Sequence, residues 1–335
     1  MSTAQPRGSR IAGMGHYVPE RVVTNDDLRQ WMDTTDEWIV QRTGIRERRW
    51  VEGDVGAAEL GERAAREALA EAGLTPGDID LILFATLSPD LNFPGSACLL
   101  QDRLGIPGVP AMDIRNQCSG FLYSLSTADA WIRAGMAERV LVVGAEVHST
   151  GLDLSTRGRD VTVLFGDGAG AAVVTATDGD RRILGSKLGA DGRYARILMV
   201  EAPASSLNPR LTHAMLDEGR HYPHMDGKAV FKQAVETLPA VIRTLLAEQG
   251  VALSEVALLV PHQANMRINE MVVRQLGFPP DRVVHNIQRY GNTTAASIPI
   301  ALHEAAQQGR IQPGELVLLA AFGAGLTWGA SLVRW

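Results

Sequence analysis

Cys118 is followed by apolar residues at Phe121, Leu122, Leu125, Ala128 and Ile132, the spacing of a buried helix face. The thiol therefore falls at or beside the first turn of that helix. Unpaired N–H groups and the positive end of the helix dipole there favour a thiolate. A cysteine serving only as a small core residue would have apolar neighbours. This one is flanked by Asn116, Gln117 and Ser119, and Gly120 leaves room for approach. Such a group offers nucleophilic attack on a carbonyl carbon. Two more polar residues end apolar runs. His262 follows residues 258–260 in Pro261-His262-Gln263-Ala264-Asn265, and Asn292 stands in Tyr290-Gly291-Asn292-Thr293-Thr294-Ala295-Ala296-Ser297. Taken singly, His262 reads as a structural histidine and Asn292 as a helix cap. Together with Cys118 they supply a nucleophile and two donors for a developing oxyanion.

The elements that must carry these groups come in two copies. Residues 68–74 lead through Asp78-Ile79-Asp80 into the apolar run 81–83. Residues 245–251 lead through Glu255-Val256-Ala257 into 258–260, at a constant offset of 177 (247 − 70 and 258 − 81). Phe165-Gly166-Asp167-Gly168 before Gly170-Ala171-Ala172 likewise resembles Phe322-Gly323-Ala324-Gly325 before Gly329-Ala330-Ser331. Each is expected to be the glycine turn between two apolar strands. The expectation is a duplicated α/β unit, residues 1–177 and 178–335. In open α/β sheets, strand C-termini and helix N-termini line the ligand crevice. Gly135 and Gly309 both precede a polar turn and an apolar strand, and their offset of 174 sets Cys118 opposite Asn292. Two related helix starts would then bring thiol and amide together. Near the N-terminus, residues 11–17 read as a strand and Thr24-Asn25-Asp26-Asp27 as a cap before a helix at 28–32. A short helix over 36–42 puts Trp38 and Arg42 on one face. Arg46, Arg48 and Arg49 read as a solvated face, and residues 59–72 as an amphipathic helix ended by Gly73.

Composition narrows the function classes. The 335 residues are 45% hydrophobic with a net charge of −6 and no basic tract, which argues against nucleic acid as a partner. Two cysteines, Cys98 and Cys118, make neither a disulfide framework nor a thiolate metal cluster, and suit a reducing, cytoplasmic compartment. Residues 1–10 lack the apolar core of a secretory signal. The uncharged run 316–333 holds Gly323, Gly325 and Gly329, so two buried strands around a turn are expected in place of a membrane span.

A Cys–His–Asn set in this order also occurs in papain-like proteases, so those three residues leave acyl transfer and peptide hydrolysis both open. Read as a whole, the chain resembles β-ketoacyl-[acyl carrier protein] synthase III of the thiolase-like condensing enzymes. The likeness rests on Asp36-Glu37-Trp38-Ile39-Val40, Arg42-Thr43-Gly44-Ile45-Arg46-Glu47-Arg48, Cys118-Ser119-Gly120-Phe121, Phe165 to Ala172, Val260 to Asn265, Gly291-Asn292-Thr293 and Phe322-Gly323-Ala324-Gly325. It implies a duplicated five-layered αβαβα fold. It implies that Cys118 accepts an acyl group from acyl-coenzyme A. His262 and Asn292 would then bind the thioester carbonyl of malonyl-[acyl carrier protein] during a decarboxylative condensation that begins fatty-acid chains. The alternative is a related acyltransferase that passes its acyl group to another acceptor, or a condensing enzyme of secondary metabolism that joins acyl chains without malonyl decarboxylation.

By the same resemblance, the backbone N–H groups of Cys118 and Ala324 would hold the second oxyanion, the family usually having glycine at the latter position. Trp38 and Arg157 would clamp the coenzyme's adenine, with Arg42 and Thr43 nearby, and Gly227, Phe231 and Asn265 would line the pantetheine channel. Lys232, Arg267 and Arg274 would dock an acidic carrier protein. Phe93 would reach a partner subunit's acyl pocket, implying a homodimer. No cofactor or metal is implied. Residues 208–225 are longer than in compact members and carry His213, His221 and His224; they read as a loop over the acyl pocket, not a metal site.

Overall fold

A computed structural model describes residues 7–335. Residues 1–6, part of the stretch considered above for a secretory signal, lie outside it. The chain opens with β1 (Gly8–Tyr17). A two-stranded ribbon, β2 (Val22–Thr24) with β3 (Glu47–Arg49), brackets α1 (Asn25–Leu28) and α2 (Asp36–Thr43). Thr24 and Asp27 form a reciprocal capping box, which starts α1 at Asn25 and not at residue 28. Leu28 and Met32 still enter the core, through a turn that follows the helix. Then come α3 (Ala57–Ala72), β4 (Leu81–Ala85), α4 (Ser96–Leu104), β5 (Ala111–Ile114), α5 (Gly120–Arg133), β6 (Arg139–Glu146), α6 (Arg159–Thr162) and β7 (Gly168–Thr177). The remainder runs β8 (Arg182–Ala190), β9 (Leu198–Val200), α7 (His213–Asp217), β10 (Pro223–Met225), α8 (Gly227–Gln249), β11 (Val256–Pro261), α9 (Met266–Leu276), α10 (Ile287–Tyr290), α11 (Ser297–Gln307), β12 (Leu316–Gly323) and β13 (Thr327–Arg334).

Two large sheets result, in the orders β1-β7-β6-β4-β5 and β8-β13-β12-β11, beside the two-stranded pairs β2–β3 and β9–β10. The pairings of the two large sheets match in sense. The β4–β6 and β11–β12 pairs are parallel; β6–β7, β7–β1, β12–β13 and β13–β8 are antiparallel. A single parallel bridge, Leu259 to Val283, stands where β5 would have its counterpart. Helices α5 and α11 lie between the sheets. Phe121, Leu125 and Ile132 of α5 and Ile298, Ala301 and Leu302 of α11 share one apolar core with strands of both sheets. Helices α3 and α4 cover the first sheet outside, and α8 and α9 the second. The result is the five-layered αβαβα fold, in which every apolar face is covered. The run 316–333 is buried as β12 and β13. Among the described residues, no helix is long and apolar enough to cross a membrane.

Three further expectations need correction. Each central helix is preceded by one 3₁₀ turn, Gln117–Ser119 and Thr294–Ala296, whose first residues both have positive φ, 43° and 48°. Their offset is 177 (294 − 117), as it is for β12 and β6 (316 − 139). The counterpart of Cys118 is therefore Ala295, and Asn292 corresponds to Arg115. The glycine-based offset of 174 fails because α11 has 11 residues where α5 has 14. The second correction concerns Phe165 to Gly168. These residues open β7, but the link back to β6 is the excursion 147–167 and not a tight turn; only β12 and β13 form the expected hairpin. Third, Arg48 is fully buried and not part of a solvated face. Its guanidinium donates to the carbonyls of Val23 and Val163 and to Asn25 Oδ1, and burial pulls its pKa down to about 10. It ties the ribbon to the segment beside the site.

Candidate active site

A cavity of about 1180 Å³ runs inward from Trp38 and reaches Cys118, His262 and Asn292. Cys118 lies in the 3₁₀ turn ahead of α5, after a residue of positive φ that points the turn into the cavity. Gly323 at the end of β12 makes the approach possible. A Cβ there would stand 2.6 Å from Cys118 Cβ and 2.8 Å from Sγ. Burial pushes the thiol up to about 12, and the buried Glu146 adds to the shift. The N–H groups of Ala324 and Cys118 and the Thr294 hydroxyl act in the opposite sense. The expected resting thiolate is thus overturned: desolvation of the sulfur outweighs the donors at the helix start. Those donors face the sulfur and stabilise negative charge when it forms. His262 is not among the largest influences on the thiol.

His262 directly follows β11, its N–H donating to the Ala320 carbonyl of β12 at 2.7 Å. The ring is buried, which holds its pKa down near 3, so it is neutral. Nδ1 lies 2.6 Å from Ser297 Oγ at the start of α11. Nε2 is buried without a hydrogen-bond partner. Asn292 is not the cap of α11, which begins five positions later. Its N–H donates to the Leu164 carbonyl at 2.7 Å, and its own carbonyl accepts from Gly166 N–H at 3.1 Å. Its side-chain Oδ1 accepts the Thr294 N–H at 2.9 Å. That bond turns the amide so that its NH₂ remains to donate. One unpaired imidazole nitrogen and one amide NH₂ therefore border the cavity that holds the thiol.

The other residues chosen from sequence fall out unevenly. Trp38 lines the cavity and is faced by two guanidiniums, Arg42 at 4.5 Å and Arg159 at 4.7 Å from the ring centroid. Arg157 is turned elsewhere: it pairs with Asp153 at 2.6 Å, donates to the Asp217 carbonyl and lies over Tyr222. Thr43 lines the cavity, but its hydroxyl is engaged with Ile39 O and Ile45 N–H. Asn265 caps α9 and donates to the Arg42 carbonyl. Gly227, Phe231 and Ala324 all border the cavity. Lys232, Arg267 and Arg274 are exposed on α8 and α9, and Arg267 reaches the cavity mouth. Phe93 is 85% exposed, far outside the norm for a large apolar side chain.

From residues 208–225, His221, Pro223 and Met225 line the cavity. Met225 packs in the apolar cluster that includes Trp38 and Met266. The segment therefore covers the Trp38 end of the cavity. His213, His221 and His224 form no converging ligand group among the described residues. Sequence reading missed Ser297, Thr294, Glu146 and Arg159. The run of hydroxyl residues after Asn292 was a signal for the first two. Nothing local marked Glu146 or Arg159.

The comparisons with known proteins agree with this geometry. The family model 3-oxoacyl-[acyl-carrier-protein (ACP)] synthase III matches residues 112–192, and the model of its C-terminal part matches 246–335. β-Ketoacyl-[acyl-carrier-protein] synthase III of Methylococcus capsulatus is 46% identical over 98% of this chain and 99% of its own. The chain belongs to the 3-oxoacyl-[acyl-carrier-protein] synthase III family. It is an acyltransferase of the condensing type. The crystal structure of the family member from Aquifex aeolicus superposes with a TM-score of 0.90 at 44% identity, covering 98% of this chain and 100% of that one. The member from Pseudomonas aeruginosa gives 0.89 at 42%, covering 98% of each. Duplicated sheets and this family together exclude the papain-like alternative.

Proposed function

We propose that Cys118 takes an acyl group from acyl-coenzyme A and that the acyl-enzyme then condenses with malonyl-[acyl carrier protein]. The observation that carries the role assignment is the buried, unpartnered Nε2 of His262 bordering the same cavity as the free Asn292 NH₂. In the first step the sulfur attacks the thioester carbonyl, the coenzyme thiolate leaves, and the Cys118 proton ends on coenzyme A. The N–H groups of Cys118 and Ala324 stabilise the tetrahedral oxyanion. In the second step, Nε2–H of His262 and the Asn292 NH₂ donate to the malonyl thioester oxygen. Ser297 O–H donating to Nδ1 keeps the ring proton on Nε2. As the C–CO₂ bond breaks, its electron pair becomes an enolate held by those donors. The enolate carbon attacks acyl-Cys118, and the sulfur leaves as thiolate and is reprotonated. Thioester exchange and decarboxylation need no cofactor.

Residues 1–177 supply the nucleophile and 178–335 the two donors. Trp38, Arg42 and Arg159 receive the coenzyme's adenine end, and Arg157 holds residues 208–225 beside it. Arg267 at the cavity, with Lys232 and Arg274 exposed on the same two helices, suits an acidic carrier protein, setting recognition and on-rate. Exposed Phe93 suits a homodimer in which each subunit completes its partner's pocket. Two free cysteines suit a cytoplasmic enzyme.

Rapid-mixing measurement of acyl loading, beside release of labelled CO₂ from malonyl-[acyl carrier protein], tests the roles. Cys118→Ala loads nothing. His262→Ala and Asn292→Ala still load, while CO₂ release falls by about a hundred- to a thousandfold each. Equal collapse of both steps in His262→Ala would overturn the assignment. Loading by the unaltered enzyme without any CO₂ release would favour a transferase that uses another acceptor.

A further inference from the structure

Strand β1 lies unusually close to α3. A Cβ on Gly13 would stand 2.5 Å from the Ala68 carbonyl, and one on Gly15 2.3 Å from that of Ala64. The closeness lets two carboxylates of α3 bond the strand's backbone: Glu71 accepts from Met14 N–H at 2.5 Å and Glu67 from His16 N–H at 2.7 Å. Helix α11, from the other end of the chain, brings His303 to the same point. His16 Nδ1 and His303 Nδ1 are 2.8 Å apart, and Glu67 Oε2 is 3.9 Å from His303 Nδ1. All three donor atoms lie within 4.8 Å of one another. A His–His contact of this length needs one ring to carry its proton on Nδ1 and the other to offer a lone pair. If the first ring shifts its proton to Nε2, two lone pairs and a carboxylate face one point.

We propose that His16, Glu67 and His303 bind a divalent ion of the zinc type. Two imidazoles and one carboxylate are a common zinc donor set, with a fourth position left for water. Half-buried His16 and exposed Glu67 leave that position open to solvent, while His303 is fixed in the core. The outer groups also fit. With Nδ1 on the metal, His303 Nε2–H would face the Glu71 carboxylate, now 4.0 Å away, and Gln307, whose amide nitrogen stands 3.2 Å from Nε2, would turn its amide oxygen to the ring. The ion joins β1 and α3 to α11, the helix whose first residue contacts His262. It acts on the structure and takes no part in the condensation.

The test uses tag-free protein and Zn²⁺ in competition with a chromophoric chelator. One ion binds per chain and raises the unfolding temperature. Glu67→Gln and His16→Asn each weaken binding by roughly tenfold or more, and Cys98→Ser leaves it unchanged. His303→Gln is a third variant. Because its site is buried and it can fail to fold, the exposed Glu67 and the zinc-edge X-ray absorption spectrum of the unaltered protein decide the matter. That spectrum shows imidazole and oxygen donors. No zinc uptake, uptake unchanged in both Glu67→Gln and His16→Asn, or sulfur in the coordination shell would overturn the proposal.

Discussion

The imidazole of His262 has one ring nitrogen tied to Ser297 and the other free toward the cavity. Which nitrogen carries the proton is set by the bond that the other makes. Ser297 is therefore a positioning residue. Ser297→Ala leaves Nδ1 buried and unpaired, a loss of about 1–3 kcal/mol that falls on the ring's orientation and tautomer. The expected outcome is a decline of roughly one to two orders of magnitude in CO₂ release. Acyl loading of Cys118 in the same sample stays near normal. A merely structural role for Ser297 would lower both together. Burial holds the Cys118 thiol up at about 12, and the donors of Ala324, Cys118 and Thr294 act in the opposite sense.

At the scale of elements, the segment between β9 and β10 has a more specific place than its length revealed. The two strands pair from Leu198–Met225 to Val200–Pro223 and form a wall of the cavity. Between them α7 is capped by Thr212 and held by Arg157, which donates to the Asp217 carbonyl. Because Met225 and Trp38 pack against the same apolar cluster, we propose that the segment shapes the coenzyme end more than the acyl end. Replacing residues 208–217 by a short glycine-serine turn should raise the KM for acyl-coenzyme A on the order of tenfold, with kcat nearly unchanged. The ranking of acyl chain lengths should stay the same. Steady-state kinetics with a series of acyl-coenzyme A thioesters checks both points; a reordered chain-length preference would restore the loop-over-acyl-pocket reading.

For the whole molecule, the buried site makes stability depend on pH. His148 and His262 are held near pKa 3 by burial, against an ordinary value of 6.5. Each binds a proton more readily in the unfolded chain, so its contribution is complete above pH 6.5 and is lost as pH falls toward 3. Glu146 is pushed by burial to about 7 from 4.5, so its contribution runs the other way and is lost as pH rises through that range. Between pH 4.5 and 6.5 these three groups leave the unfolded state ahead by two protons minus one. His16 and His285, also held below the ordinary value, add in the same direction, and Asp167, raised by burial, opposes them. Stability should therefore fall on acidification, with about 1.4 kcal/mol per pH unit coming from the first three groups. His148→Asn removes one histidine contribution and should lessen the slope by about 1.4 kcal/mol per pH unit. Urea unfolding across this window measures it, and an unchanged slope in the variant would refute the assignment.

What the sequence determined by itself was local and periodic. The spacing after Cys118 marks α5, the glycines mark its end and that of α3, and the offset of 177 marks the repeated unit whose two sheets share order and sense. Motif residues pointed to Cys118, His262 and Asn292, which line one cavity, because they stand where apolar elements stop. The tertiary structure decided what depends on partners far along the chain. His262 meets Ser297 35 positions away, Trp38 meets Arg159 in preference to Arg157, and His16 meets His303 287 positions away. It also decided burial: Arg48 went inside, and Cys118 stayed a thiol although it lies at a helix start. Periodicity follows from backbone geometry over a few residues, so it can be read directly. Desolvation and long-range partners arise only when five layers close over one another, and they set the charge and orientation on which the chemistry depends.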